Sequence, residues 1–403
     1  MVDKTHICEL CASDNELRLE IQERGVPAKI CPTCKRKCVR TLSAEDRRVK
    51  QIVRALIRVN YSEWHYNDHI GGSSLYSLIS KNEVVFSFDK NLKCPLPDEV
   101  WGAIEQDLGW YPESEEDITL GGGYWNGSIL DAIRGNHSGF VNGLVNKALQ
   151  NNYFEVEPAV REKIKTLSSY LVQTIPAGAE YFRGRVGVRS RLSPVFIEPG
   201  YPPEYKYQAY QSTDIDRPPL HLATEGRFNR TRVSILYLAS DSNTAVSELR
   251  PNPGHLVSIS KFRSVRDLKI ANFSSFDVRN FLSDSKLEQL REILSIADIL
   301  NVPVLPEHRY LYSLTQLFGD ALRLEGFDGL TYKSSVGEGV NLTCFVADAF
   351  IPIAGSEAVY EISSLRYDVK SMPVIGESYD KFEYQHDEDS PLSTLLHSIA
   401  KKR

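Results

Sequence analysis

An α+β fold is predicted by three observations. Downstream of residue 176, strand-like and helix-like runs follow one another without the regular strand–helix–strand spacing of a parallel sheet. Residues 43–175 read mostly helical, and five of the seven cysteines fall within the first 42 residues. At 403 residues, 42% hydrophobic and 25% charged, the chain has the balance of a soluble globular protein with material for two or three domains. The expected division is a four-cysteine module over 1–42, a helical domain over 43–175, a mixed-sheet domain over 176–372 and an acidic tail over 373–403. A net charge of −6 gives no bulk attraction to nucleic acid or anionic lipid. No apolar run reaches the ~18 residues that span a bilayer. The opening Met1-Val2-Asp3-Lys4-Thr5-His6 lacks a signal-peptide core, so a cytoplasmic location is expected. Under those conditions an odd cysteine count argues against a disulfide framework.

In the first module Cys8-x-x-Cys11 and Cys31-x-x-Cys34 form two pairs. Each pair is expected to make a knuckle with its thiolates on one side, and two knuckles complete a tetrahedron around zinc. Four thiolates leave no open position, so the predicted zinc is structural rather than catalytic. Cys38 and His6 are spare candidate ligands. Lys35, Arg36, Lys37 and Arg40 make the second knuckle basic. This run reads as a solvated face, with a nucleic-acid contact as the alternative.

The helical domain is expected to open near Ser43 with Val49, Ile52, Val53, Leu56 and Ile57 on one face. Further helices are expected near 98–108, 129–151 and 163–174. Gly121 to Gly123 read as a turn, since no Gly-Lys-Ser/Thr follows to make a phosphate loop.

The remaining domain begins with a predicted strand at 180–188, carrying Tyr181-Phe182-Arg183-Gly184-Arg185. Residues 192–224, rich in Pro and Tyr, read as a long loop of the kind that is often functional. Gly226-Arg227-Phe228-Asn229 precedes a strand at 233–239. Ser240, Asp241 and Ser242 are candidate caps for a helix ending in Glu248, Leu249 and Arg250, which Pro251 terminates. Strands follow at 255–262 and 268–273, helices at 286–300 and 310–325, and strands at 329–333, 341–346 and 359–368.

Gly226-Arg227-Phe228-Asn229, Leu236-Tyr237-Leu238-Ala239-Ser240 and Ala245-Val246-Ser247-Glu248-Leu249-Arg250 resemble motifs of the RES domain, a family of bacterial NAD-consuming toxins. Phe327-Asp328-Gly329-Leu330-Thr331-Tyr332-Lys333-Ser334-Ser335 and Gly339-Val340-Asn341-Leu342 resemble that family's later motifs, and Tyr181 to Arg185 its opening one. The resemblance covers residues 177–369. It implies an ADP-ribosyltransferase-like mixed sheet, NAD as substrate, and a toxin role with a cognate antitoxin or defence partner; a homo-oligomer is left open. The segment before it resembles the HEPN-like helical domain fused to that family, some members of which are ribonucleases with an Arg and a His a few residues apart. Arg134 and His137 stand too close for that pattern; Arg58 and His65 meet its outer spacing, but Val59 follows where a polar residue is usual. A structural or regulatory bundle is therefore expected.

Cleaving the nicotinamide–ribose bond needs a held pyrophosphate, an oriented nicotinamide and stabilised positive charge on the ribose. Arg183 and Arg227 are the candidates for pyrophosphate and ribose, because a guanidinium fork meets phosphate oxygens with two bonds. Arg185, two residues from Arg183, is expected on the same strand face. Arg230 and Arg232 are further candidate phosphate contacts, standing where relatives turn with Pro and Gly. Tyr237 is the candidate stacking wall, with Tyr181 second. Glu248 is the carboxylate expected to stabilise the oxocarbenium-like ribose. Ser334, with Ser335 as its competitor, is expected to hold ribose, phosphate or the attacking nucleophile rather than to attack, since no base stands ready. An ADP-ribosyltransferase acting on a macromolecule and an inactive binding module are the competing readings.

Overall fold

The computed structural model describes residues 4–66, 71–81, 84–87, 96–106, 109, 111–114, 116–120, 128–130, 138–150, 153–197, 199–301, 304, 312–367, 369–371 and 374. His69, Cys94, Gly121 to Gly127, Arg134, His137 and the acidic segment 376–390 lie outside the described residues, as does the side chain of Cys38. The chain separates into two compact units, residues 1–142 with 276–295, and residues 143–275 with 296–403. Together they are an α+β architecture with a large mixed sheet in the second unit.

In the first unit β1 (His6–Cys8), β2 (Val26–Ile30) and β3 (Lys37–Ser43) form an antiparallel sheet in the order β1-β3-β2. Helix Asn15–Arg24 starts at Asp14, whose side chain accepts from the Leu17 amide at 2.9 Å. Ile7, Leu17 and Ile21 are fully buried, so this segment has an apolar core of its own beside the cysteines. Helix Arg47–Asn60 is capped by Asp46, which accepts from the Arg48 and Val49 amides; Ser43, the expected cap, ends β3 instead. The stripe Val49, Ile52, Val53, Leu56 and Ile57 is buried as its spacing requires. Glu20, nearly fully buried, accepts ion pairs from Arg24 and Arg48, both at 2.8 Å, which offset the cost of burying its charge.

The sheet of the second unit has the order β13-β9-β5-β8-β12-β11-β10-β4, with β14 also paired to β9. Its strands are β4 (Val172–Ile175), β5 (Glu180–Val186), β8 (Leu236–Ala239), β9 (Leu256–Ser264), β10 (Leu268–Asn272), β11 (Gly329–Lys333), β12 (Val340–Cys344), β13 (Phe350–Pro352) and β14 (Ala358–Glu361). All described pairings between these named strands are antiparallel except β10 with β11. That parallel pair requires a crossover, and the intervening chain contains helix Tyr312–Leu324. One face buries Leu236, Leu238, Phe262, Ile270, Leu342 and Phe350. The other packs Ala239, Val257 and Ile259 against Ala245 of helix Ser242–Glu248. Helix Glu157–Leu171, placed on the helical side by sequence, packs on helix Tyr312–Leu324 and β10. The expected long loop at 192–224 contains the second strand of a small hairpin, β6 (Ser190–Leu192) with β7 (Lys206–Gln208), and two single-turn helices.

One register detail positions the site. β5 forms a seven-pair ladder with β9, Glu180↔Arg263 through Val186↔Val257, but meets β8 at a single pair, Phe182↔Ala239. Past that pair β5 and β8 separate and open a cleft.

Candidate active site

The cleft widens into a cavity of about 530 Å³, within the range of small-molecule sites. Its walls include Arg183, Arg227, Tyr237, Glu248, Arg250 and Tyr332.

Glu248 ends the helix that Asp241 starts. Asp241 accepts from the Thr244 amide and hydroxyl, both at 2.8 Å. The helix can lie close on β5 because residue 184 is glycine: a Cβ there would meet Ile259 Cδ1 and Leu249 Cδ1 at 2.9 Å. Glu248 Oε1 accepts two hydrogen bonds, from Ser334 Oγ at 2.7 Å and from Asn341 Nδ2 at 2.6 Å. Among the described residues Oε2 has no hydrogen-bond partner, so the carboxylate is held by one oxygen and presents the other.

Ser334 begins the turn from β11 to β12. Its hydroxyl also accepts from the Val336 and Gly337 amides, at 3.2 and 2.8 Å. One donor and both acceptor directions of the hydroxyl are therefore engaged, and it ties the turn to the Glu248 carboxylate. The turn is pinned to the helix start by Gly339 N–H donating to Thr244 Oγ1 at 3.1 Å and Val340 N–H donating to Ser240 Oγ at 3.0 Å. Glycine is required at 339, since a Cβ there would collide with the Asp241 carboxylate and the Ser240 hydroxyl.

Arg183 fills the gap where the β5–β8 ladder fails. Its Nη1 donates to Tyr237 O at 2.8 Å, Nε to Ile215 O at 2.6 Å and Nη2 to Asp216 O at 3.3 Å. Burial pushes its pKa down to about 10, still leaving it cationic near neutrality. Arg183 thus lines the cavity while its fork is spent on main-chain carbonyls. Arg227 donates to Leu300 O at 2.7 Å and lies over the rings of Tyr312 and Tyr332, at 5.6 and 6.0 Å.

Tyr237 lines the cavity, and its hydroxyl is tied back to the preceding loop. It donates to Asn229 Oδ1 at 2.8 Å and accepts from the Phe228 amide at 3.1 Å. Burial raises the Tyr237 and Tyr332 phenols well above their usual range, so both stay protonated. The Gly-Arg-Phe-Asn motif is therefore a loop fastened to its own strand, which carries Arg227 to the cavity wall.

Five expected residues do not join this group among the described contacts. Tyr181 packs into the opposite core face, edge-on to Phe350 at 5.8 Å. Arg185 stacks on Tyr210 at 4.7 Å and donates to Asp214 O. Ser335, next to Ser334, makes no described contact with Glu248. Arg230 pairs with Asp320 at 3.1 Å, and Arg232 lines a separate cavity. Conversely, Asn341, Tyr312, Tyr332 and Arg250 line the site without having been singled out. Asn341 carried a signal, since a buried Asn inside an apolar strand is disfavoured unless it has a partner.

The second candidate centre is in the first unit. Cys8, Cys11, Cys31 and Cys34 are buried, with all four sulfurs within 4.8 Å of one another. The close Sγ–Sγ separations are 3.6 Å for Cys8–Cys11, 3.5 Å for Cys8–Cys34 and 3.8 Å for Cys11–Cys31. Tetrahedral zinc with thiolates at about 2.3 Å requires sulfurs about 3.8 Å apart, so the donor set fits zinc. Each knuckle is closed by a main-chain bond, Cys11 N–H to Cys8 O at 2.8 Å and Lys35 N–H to Cys31 O at 3.0 Å. Hydrogen bonding from Cys11 drives the Cys31 and Cys34 thiols toward thiolate, the charged form a metal binds. His6 stands outside the group.

Among the described residues no helix is long and apolar enough to cross a membrane. None of the curated proteins compared with this chain matches it. A chain in the crystal structure of the M. tuberculosis MbcT–MbcA toxin–antitoxin complex is similar over 50% of this chain and 92% of its own length, at 12% identity and a TM-score of 0.30. Residues 203–363, which carry Arg227, Tyr237, Glu248, Ser334 and Asn341, match the family model of the RES domain.

Proposed function

We propose that this protein degrades NAD by cleaving its nicotinamide–ribose bond and acts as a toxin. The observation that carries this reading is the Glu248 carboxylate, held through Oε1 by Ser334 and Asn341 on the wall of a cavity lined with arginine and tyrosine. The match of residues 203–363 to the RES domain supports it.

Nicotinamide leaves uncharged from a cationic ring, so the site needs no strong acid. Glu248 accepts the ribose 2′-hydroxyl and stabilises the oxocarbenium-like ribose through Oε2, which has no partner among the described residues. Ser334 and Asn341 are positioning residues that hold the carboxylate in place. Tyr237, its hydroxyl fixed, presents a ring to the nicotinamide, and Arg227 supplies positive charge on the wall. Arg183 maintains the opening between β5 and β8. Water or inorganic phosphate takes the ADP-ribosyl group. The first-unit cysteines hold one structural zinc, and the helical part, HEPN-like by resemblance, plays a structural or regulatory part. A cognate antitoxin is the partner such a toxin requires.

The test is to incubate purified full-length protein with NAD, with and without phosphate, and identify products by mass. Nicotinamide with ADP-ribose indicates hydrolysis, and nicotinamide with a phosphorylated ADP-ribose indicates phosphorolysis. Intact NAD in both mixtures refutes the proposal.

A further inference from the structure

Among the described residues three arginines line the cavity. The guanidinium of Arg183 is consumed by the carbonyls of Ile215, Asp216 and Tyr237, and that of Arg227 engages Leu300 O between two tyrosine rings. Arg250 differs from both. Among the described residues its side chain makes no hydrogen bond and no ion pair, yet it lines the same cavity as Glu248, two residues earlier in the chain.

Its backbone is also unusual. Arg250 sits at φ +47°, just past the Leu249 end of helix Ser242–Glu248. That left-handed conformation is disfavoured for a residue with a Cβ and is commonly filled by glycine after a helix. The following Pro251 further restricts the backbone at 250. A cation on the cavity wall with no side-chain partner among the described residues, carried on a backbone that suits glycine, is the kind of strained feature found at ligand sites.

We propose that Arg250 is the principal phosphate-binding side chain of this cavity and holds the pyrophosphate of the dinucleotide. The inference rests on the NAD reading and adds to it the residue that anchors the diphosphate. The two arginines expected to do this from sequence are engaged by main-chain carbonyls. Arg250 can meet phosphate oxygens with its whole fork.

The test is calorimetric titration of the full-length protein with ADP-ribose, which carries the pyrophosphate, and with nicotinamide, which does not. The proteins are the parent, Arg250→Ala, Arg250→Gly, Arg250→Lys and the off-site control Arg191→Ala, whose arginine stacks on Tyr205. Loss of a charge-assisted contact to phosphate weakens binding roughly 10- to 100-fold. Arg250→Ala and Arg250→Gly should show that loss for ADP-ribose, with nicotinamide unaffected, and Arg250→Lys should recover part of it. Arg191→Ala should bind both ligands like the parent. Arg250→Gly, at a position with positive φ, should not lower the melting temperature, which separates lost binding from lost folding. Parent-like affinity of Arg250→Ala for ADP-ribose, in a protein whose parent consumes NAD, overturns the assignment of Arg250 alone. A parent that neither binds ADP-ribose nor consumes NAD overturns the NAD reading and this inference with it.

Discussion

Ser334 donates its hydroxyl to Oε1 of Glu248 at 2.7 Å across 86 residues of sequence, joining the β11–β12 turn to the end of helix Ser242–Glu248. Under the proposed function the two residues are expected to do different work. Glu248→Gln keeps the size but removes the charge, and should lower kcat for NAD consumption about 10²–10³-fold with little change in KM. Ser334→Ala leaves the charge but loosens its aim, and should lower kcat by a smaller factor. Steady-state kinetics with circular dichroism as a folding check decides this; equal losses in both variants would return Ser334 to a direct role.

Arg183 is expected to matter for the cavity wall. Arg183→Met removes donors to three main-chain carbonyls. Each buried acceptor left unsatisfied costs about 1–3 kcal/mol. Thermal unfolding should show a lower Tm in the absence of ligand. An unchanged Tm with a raised KM would instead make Arg183 a substrate contact.

Asp241 makes the site sensitive to acid. Burial alone would raise its pKa, but the Thr244 amide and hydroxyl and the Ser240 hydroxyl outweigh this and hold it below the usual Asp range. A depressed folded-state pKa contributes stability above the unfolded value, about 3.9, and that stability is lost as pH falls through the folded value. Asp241→Asn should therefore reduce the slope of stability against pH below about pH 4. Urea unfolding at several pH values measures it; identical slopes in parent and variant would rule it out.

Purified protein should carry one zinc per chain, and Cys31→Ser should lose it by elemental analysis. Loss of the metal should expose the region around residues 4–45 to limited proteolysis, because the knuckles depend on it. The buried Ile7, Leu17 and Ile21 should leave residual structure rather than a fully unfolded segment. Zinc-free protein as purified without chelator would reject the site.

Arg58→Ala and His65→Ala should reveal no ribonuclease activity to lose. The Nδ1 atom of His65 accepts from the Ser62 amide at 3.0 Å, so the imidazole supports the start of its own short helix. Arg58 donates to Leu120 O at 3.4 Å. RNA cleavage by the intact protein that disappears in either variant would overturn this reading.

Local chemistry made much of the second unit readable from sequence. The apolar strands around Tyr237, Thr331 and Leu342 stand out by residue type, and Asp241 caps its helix as a short acid before a helical run should. The two Cys-x-x-Cys pairs announced a four-thiolate cluster because three-residue spacing is itself the geometry of a knuckle. Glu248 was legible as a carboxylate following Tyr237, and both line one cavity.

What only the tertiary structure decided is how side chains divide their bonds. Arg183 and Arg185 share a strand face, but the splaying of β5 from β8 after one pair draws Arg183 into the ladder gap, while Arg185 ends on Tyr210. Asn341 and Ser334 reach Glu248, more than 80 residues away in sequence, only because β12 and its turn bring them there. Arg250 is distinguished by having no side-chain partner among the described residues, which cannot be seen in a motif. Residue type and spacing determine which atoms are available; long-range packing determines which of them are already satisfied and which remain for a ligand.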